Sequence, residues 1–209
     1  MLKTDHRPSF IEEEELIAQG FRLIAGVDEV GRGSIAGPVV AAAVILPGNL
    51  RVSWLAEVRD SKQLCPAKRE TLASHIRETA IAFGIGAVSH KLIDTMGIVG
   101  ASKLAMKLAV DKLTPAPQYL LIDYLRLPAV PLPQKGITYG DCKCFSIACA
   151  SIVAKVARDE MMVKLDRRYS GYRWAENKGY CTEAHLAGLS RLGPSPIHRR
   201  TFEPVRCCG

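Results

Sequence analysis

Two adjacent carboxylates, Asp28 and Glu29, stand where an apolar run meets Gly31-Arg32-Gly33, inside the segment LIAGVDEVGRGSIAGPVVAAAVIL from Leu23 to Leu46. Strands of this apolarity are buried, and a carboxylate ending a buried strand is costly unless a cation neutralises it. Neighbouring side chains on an ideal strand point to opposite faces. Both acids therefore serve one site only if the strand ends or kinks there, as the glycines permit. The same signature recurs at Tyr119-Leu120-Leu121-Ile122-Asp123, and Gly140-Asp141 puts a fourth acid just before a long predicted helix. Ligands of open α/β sheets gather at the carboxyl ends of strands, so Asp123 can meet the Asp28/Glu29 pair if their strands are neighbours. Asp159, several turns down that helix, is a rival fourth ligand, though its position suits a surface salt bridge better.

Several chemistries compete for the turn. Gly31-x-Gly33-x-x-Ala36 matches the dinucleotide fingerprint, but that motif opens a helix, and here Pro38 and a β-branched run follow at once. Gly26 to Gly33 has the glycine spacing of a phosphate loop, yet Arg32 and Gly33 stand where Lys and Ser or Thr are needed. Two readings stay open: a glycine-rich hairpin with solvated acids, and a divalent-metal site whose Gly-Arg-Gly backbone approaches a substrate closely. If the four acids meet, each like-charged pair at ~4 Å costs on the order of 4 kcal/mol at an effective dielectric near 20. Two divalent ions about 3.5–4 Å apart would offset this and suit in-line displacement at phosphorus. Hard oxygen ligands select Mg2+ or Mn2+ over zinc.

The elements that must position these residues read as an α/β chain. A short amphipathic lead-in over 10–20 ends at Gly20, and strands follow at about 22–29 and 36–46, closed by Pro47-Gly48-Asn49. Asp60-Ser61-Lys62 precedes a helix starting at Pro66, and two readings of it stay open, a phosphate contact and a solvated loop. A strand over 81–89 and a helix over 98–113 lead to the strand ending at Asp123, then a proline-rich connection. The long helix covers 146–169 and opens with small residues. Beyond it, Arg173, Trp174, Lys178 and Tyr180 interleave cations with aromatics, Thr182 caps a helix running to Gly193, and His198-Arg199-Arg200 follows. Either base stacking and phosphate contact or a local packing cluster explains that composition.

The chain has 209 residues, which favours one main domain with a helical appendix, and its 48% hydrophobic content suffices for a proper core. A formal net charge of +7 suggests a polyanionic partner. Seven cysteines with no zinc-finger spacing, and an N-terminus lacking an apolar signal segment, point to a reducing cytoplasm. No apolar run is long enough to span a bilayer.

Ordered motifs extend over nearly the whole chain: Asp28-Glu29-Val30-Gly31-Arg32-Gly33 with Ala36-Gly37-Pro38, Asp60-Ser61-Lys62, Leu121-Ile122-Asp123, Gly140-Asp141, Ser151-Ile152-Val153-Ala154-Lys155-Val156 with Arg158-Asp159, Lys178-Gly179-Tyr180, and His198-Arg199-Arg200. In these the chain closely resembles the bacterial ribonuclease HII family, the type 2 ribonucleases H. The resemblance implies a ribonuclease H-like mixed β-sheet flanked by helices, with a catalytic domain over 1–169 and a helical substrate-binding extension over 170–209. It implies cleavage of RNA in RNA–DNA hybrids and of single ribonucleotides in duplex DNA, cut on the 5′ side to leave 3′-hydroxyl and 5′-phosphate ends. The family's metal-binding acids fall on Asp28, Glu29, Asp123 and Asp141, for two Mn2+ or Mg2+ ions. Its 2′-hydroxyl sensor falls on Gly31, Arg32 and Gly33, and its junction-sensing tyrosine on Tyr180. Lys62 and Arg199 join these as substrate-contacting candidates. A cytoplasmic monomer, with recruitment by replication or repair proteins, completes the expectation. The family often has Lys at Tyr139, and Gly at Tyr124 and Cys181.

Overall fold

The computed structural model describes residues 7–208. At its centre are β1 (Ile24–Val30), β2 (Val39–Ile45), β3 (Ala82–Val88), β4 (Tyr119–Asp123) and β5 (Gln134–Ile137), in the sheet order β3-β2-β1-β4-β5. The first three strands form an antiparallel meander, and β4 and β5 join parallel to β1. Around them lie α1 (Ile11–Ala18), α2 (Pro66–Thr79), α3 (His90–Val110), α4 (Phe145–Arg168), α5 (Trp174–Asn177) and α6 (Glu183–Leu192). This is the mixed sheet flanked by helices that the sequence predicts.

Helices cover both sheet faces, which explains why β2 is apolar throughout. Val39, Ala41, Ala43 and Ile45 pack in the layer with α3, while Ala42 and Val44 pack in the layer with α2 and α4. Fully buried side chains such as Ile45 and Leu72 contribute on the order of 2 kcal/mol each to that core. Small residues set how closely α4 approaches. A Cβ on Gly26 of β1 would fall 2.1 Å from the Ser146 carbonyl carbon, so any larger residue would push the first turn of α4 off the sheet. Glu13 of α1 anchors the same turn. Its Oε1 accepts from the Ser146 N–H at 2.9 Å and from the Cys144 thiol at 3.0 Å. A carboxylate there also complements the positive end of the helix dipole.

Three boundaries differ from expectation. β5 follows the proline-rich connection in a stretch to which the sequence reading gave no element, because Gln134-Lys135-Gly136-Ile137 is a short, largely polar edge strand. α3 starts at His90, with the Ser89 hydroxyl accepting from the Leu92 N–H at 3.5 Å. Its first turns are hidden in the sequence by Gly97, where the backbone leaves helical geometry at φ 76. β2 begins at Val39 rather than Ala36, since the Gly37 N–H donates to the Ile197 carbonyl at 3.0 Å and the Arg199 N–H to that of Ile35 at 2.9 Å. After α4 the chain folds back onto it, and Tyr172, Trp174 and Ile197 form an apolar cluster with Ala36 and Met162. Thr182 caps α6 as predicted, accepting from the His185 N–H at 3.3 Å. All seven cysteines are free thiols. Among the described residues no helix is long and apolar enough to cross a membrane.

Candidate active site

β1 and β4 are parallel neighbours with Val27 opposite Ile122, so Asp28, near the end of β1, and Asp123, at the end of β4, lie on adjacent strands, whose spacing is about 4.8 Å. Gly26 and Leu121, one register pair back on the same face, pack against the start of α4. By the two-residue period, Asp28 and Asp123 project from that same face. Glu29, still within β1 and paired with Ala41, also lines the cavity; the strand runs on to Val30 instead of ending at the acids, and the chain turns at Gly31, whose φ is 91. Asp141 rides on a short 3-10 turn, Gly140–Cys142, which is tied to β4 by the Gly140 N–H donating to Asp123 Oδ1 at 2.8 Å.

A cavity of about 560 Å³ brings together Asp28, Glu29, Asp123 and Asp141 with Gly31, Arg32, Gly33, Lys62 and Tyr180. Arg199 alone among the predicted site residues lies elsewhere. It is fully buried, and its guanidinium donates to the carbonyls of Gly31 (2.7 Å), Arg32 (2.8 Å) and Gly37 (3.1 Å) behind the turn. The direct substrate contact expected of Arg199 therefore gives way to contacts with the backbone carbonyls behind the turn. Asp159 is held by Lys155 at 2.7 Å and Arg69 at 3.7 Å, in the ion-pair role that suited its position.

The acids are placed at an electrostatic cost. Burial, then the neighbouring charges of Glu29 and Asp123, push the Asp28 carboxyl well above its ordinary range. Burial also raises Glu29, with Arg32 acting against it, and raises Asp123, where the Gly140 N–H acts against it. Arg32 Nη1 meets Glu29 Oε1 at 3.2 Å, while Glu29 Oε2 is buried without a hydrogen-bond partner. Lys62 stays firmly protonated: burial opposes its charge, but Asp60, Asp141 and Asp28 outweigh burial and raise it.

The sequence reading quoted Asp60, Ser151 and Lys155 inside motifs without naming them as site residues, and Arg69 it did not mention. The last three line the cavity, and Asp60, Asp141 and Cys142 each offer a potential ligand atom within 4.8 Å of the others. No other trio among the described residues is that tight, so the three strand-end acids share the cavity at wider spacing. Nothing in Asp60-Ser61-Lys62 itself signals that Asp60 faces Asp141. Tyr124 and Tyr139, next to two of the acids, are exposed and left-handed, each at φ 57. Glycine adopts that conformation without strain.

A model of the family described as Ribonuclease HII matches residues 25–205. The chain belongs to the ribonuclease HII family. It is accordingly a ribonuclease, of a family that cleaves the RNA of RNA–DNA hybrids. The ribonuclease HII of Dehalococcoides mccartyi is 59% identical over 199 residues, covering 95% of this chain and 94% of that protein. Among solved structures, ribonuclease H2 from Pyrococcus horikoshii aligns with a TM-score of 0.71 at 28% identity, over 88% of this chain and 96% of that one. The RNase HII in a PCNA complex from Archaeoglobus fulgidus aligns with a TM-score of 0.69 at 25% identity, over 86% and 95%. The ribonuclease H-like fold of this ribonuclease HII thus spans the sheet and the acids at its strand ends.

Proposed function

We propose that this ribonuclease HII cuts duplex DNA on the 5′ side of a single embedded ribonucleotide, and RNA–DNA hybrids likewise, leaving 3′-hydroxyl and 5′-phosphate ends. One observation carries the reading: Asp28 and Asp123 sit near the carboxyl ends of adjacent parallel strands on one sheet face, with raised carboxyl pKa values, in a cavity shared with Glu29 and Asp141. The donor set fits hard divalent cations, since it consists of carboxylate oxygens and one of them, Glu29 Oε2, is buried and unpartnered. Asp28, Glu29, Asp123 and Asp141 would hold two Mg2+ or Mn2+ ions, which when bound supply water activation and charge neutralisation at the leaving oxygen.

The chain's own groups do the recognition. Lys62 stays cationic at the cavity and suits a phosphate oxygen, and the Gly31-Arg32-Gly33 backbone suits the 2′-hydroxyl that separates RNA from DNA. Tyr180, on the extension after the catalytic domain, packs against the sugar of the following deoxynucleotide. The net charge of +7 draws the polyanion in, so binding weakens as salt rises. The PCNA complex of the A. fulgidus protein supports recruitment of this one by a replication protein too.

A duplex holding one ribonucleotide should be cut once, on its 5′ side, with Mg2+ or Mn2+, and left whole with EDTA. Cutting of an all-DNA duplex, or no cutting with any divalent metal, would overturn the proposal. Tyr180→Ala should slow single-ribonucleotide cutting about tenfold more than cutting of a long hybrid, the worth of one lost sugar or base contact. Equal slowing on both substrates would remove the junction-sensing role.

A further inference from the structure

Behind the Gly31-Arg32-Gly33 turn lie two guanidinium groups, Arg158 and Arg199, both fully buried. Among the described residues neither has a carboxylate at salt-bridge distance. Buried charges are normally paired, and these are satisfied by backbone carbonyls and one hydroxyl instead. Arg199 donates to Gly31, Arg32 and Gly37, as described. Arg158 donates from Nε to the Pro38 carbonyl at 3.0 Å, from Nη1 to the Lys178 carbonyl at 2.8 Å, and from Nη2 to Ser34 Oγ at 2.8 Å. Its guanidinium also lies 5.6 Å from the centre of the Tyr180 ring.

The two Arg199 bonds to Gly31 and Arg32 fix where the opposite edge of each peptide points. A trans peptide is planar, and its N–H is directed opposite to its carbonyl. With the carbonyls of Gly31 and Arg32 turned back onto Arg199, the N–H groups of Arg32 and Gly33 are turned away from it, and both residues line the cavity. Among the described residues neither N–H has an acceptor. Gly31 is what allows this arrangement, since a Cβ there would come 2.1 Å from Arg158 Nε. The Ile35 N–H donates to the Gly179 carbonyl at 2.9 Å, which ties the segment after the turn to the Tyr180 loop.

We infer that Arg199, backed by Arg158, is a positioning residue for substrate specificity: it holds two successive backbone N–H groups open toward the ribose 2′-oxygen. The role rests on the nuclease reading above. It also explains why a basic residue sits where no substrate can reach it: the charge grips carbonyls from behind so that the amides in front stay free.

The test separates reading a ribonucleotide from binding DNA at all. In an Asp28→Asn background, which binds without turnover, affinities would be measured for a duplex with one ribonucleotide and for the same duplex in all-DNA form. Arg199→Met, of similar length but without donors, should lose about tenfold of the ribonucleotide preference, the worth of one well-placed hydrogen bond, with all-DNA affinity unchanged. Arg199→Lys, with one ammonium, should fall between Met and wild type. A folded Arg199→Met that keeps the full preference overturns the role. A purely structural residue would lower both affinities together, which also overturns it. Should the variants fail to fold, 15N spectra of the Asp28→Asn protein decide: the Arg32 and Gly33 amides should shift with the ribonucleotide duplex and not with all-DNA, and equal shifts overturn the role. Wild type leaving the ribonucleotide duplex uncut would instead sink the nuclease reading, so the two failures are told apart.

Discussion

Asp28→Asn should slow single-turnover cutting of a ribonucleotide-bearing duplex by about a thousandfold or more, corresponding to a loss of roughly 4 kcal/mol of transition-state stabilisation. Affinity for the duplex should stay within a few-fold of wild type. The substitution is nearly isosteric, and Asn retains the side-chain oxygen that accepts the Glu29 N–H at 2.7 Å, so the end of β1 keeps its shape. What disappears is one negative charge at the junction of β1 and β4, where Asp28 is the most deeply buried of the strand-end acids. Binding depends instead on the cations around the cavity and on the Gly31-Arg32-Gly33 turn, which the change does not touch. Asp123→Asn should behave similarly with a smaller loss of geometry control at Asp141, because its oxygen still receives the Gly140 N–H. Quench-flow cutting together with a binding titration distinguishes the outcomes. Cutting within tenfold of wild type would remove Asp28 from the chemistry.

The ends of β1 and β4 were legible because each apolar run stops at an acid, and an acid there needs a reason. That they are neighbours was not legible, since strand order is a property of the whole sheet and β4 is separated from β1 by β2, β3 and two helices. β3 was readable despite Gly84 and Gly86, and the structure explains those glycines: a Cβ on either would fall 2.0–2.1 Å from a carbonyl oxygen of α3. Arg199 illustrates the limit most clearly. A cationic side chain in a basic, aromatic tail reads as a phosphate contact, and its charge gives no hint of which way it faces. The bridge pairing Ala36 with His198 turns it inward. Asp60 was read only as part of a loop motif for the converse reason, as an acid in a polar loop carries no burial signal until the turn bearing Asp141 comes to rest beside it.

The same crowding of acids that suits the site for cations should weaken the metal-free protein at neutral and alkaline pH. Asp28 and Asp123 are raised from an ordinary 3.8, and Glu29 from 4.5, each chiefly by burial. Between the unfolded and folded pKa of such a group the native state holds more protons than the unfolded state, so stability falls as pH rises across that window. The penalty is complete above the folded value and amounts to about 1.4 kcal/mol for each unit by which a carboxyl is raised. His185 and His198, lowered by burial and with His198 brought down to about 4, act in the opposite direction as pH falls below the usual histidine range. A bare pH profile of melting would therefore mix the two effects. The difference between wild type and Asp28→Asn isolates the acids, because the histidines are common to both. In EDTA at pH 8 the variant should melt above wild type, and the gap should close as pH falls through the raised carboxyl values. Adding Mn2+ at a hundred times its dissociation constant should stabilise wild type by about 2.7 kcal/mol, or about 5–10 °C for a chain of this size, and the variant by much less. Differential scanning calorimetry across pH, with and without the metal, reads all of this directly. A wild type that melts at or above the variant in EDTA at pH 8, and does not respond to Mn2+, would mean that the carboxylates neither repel one another nor share a cation.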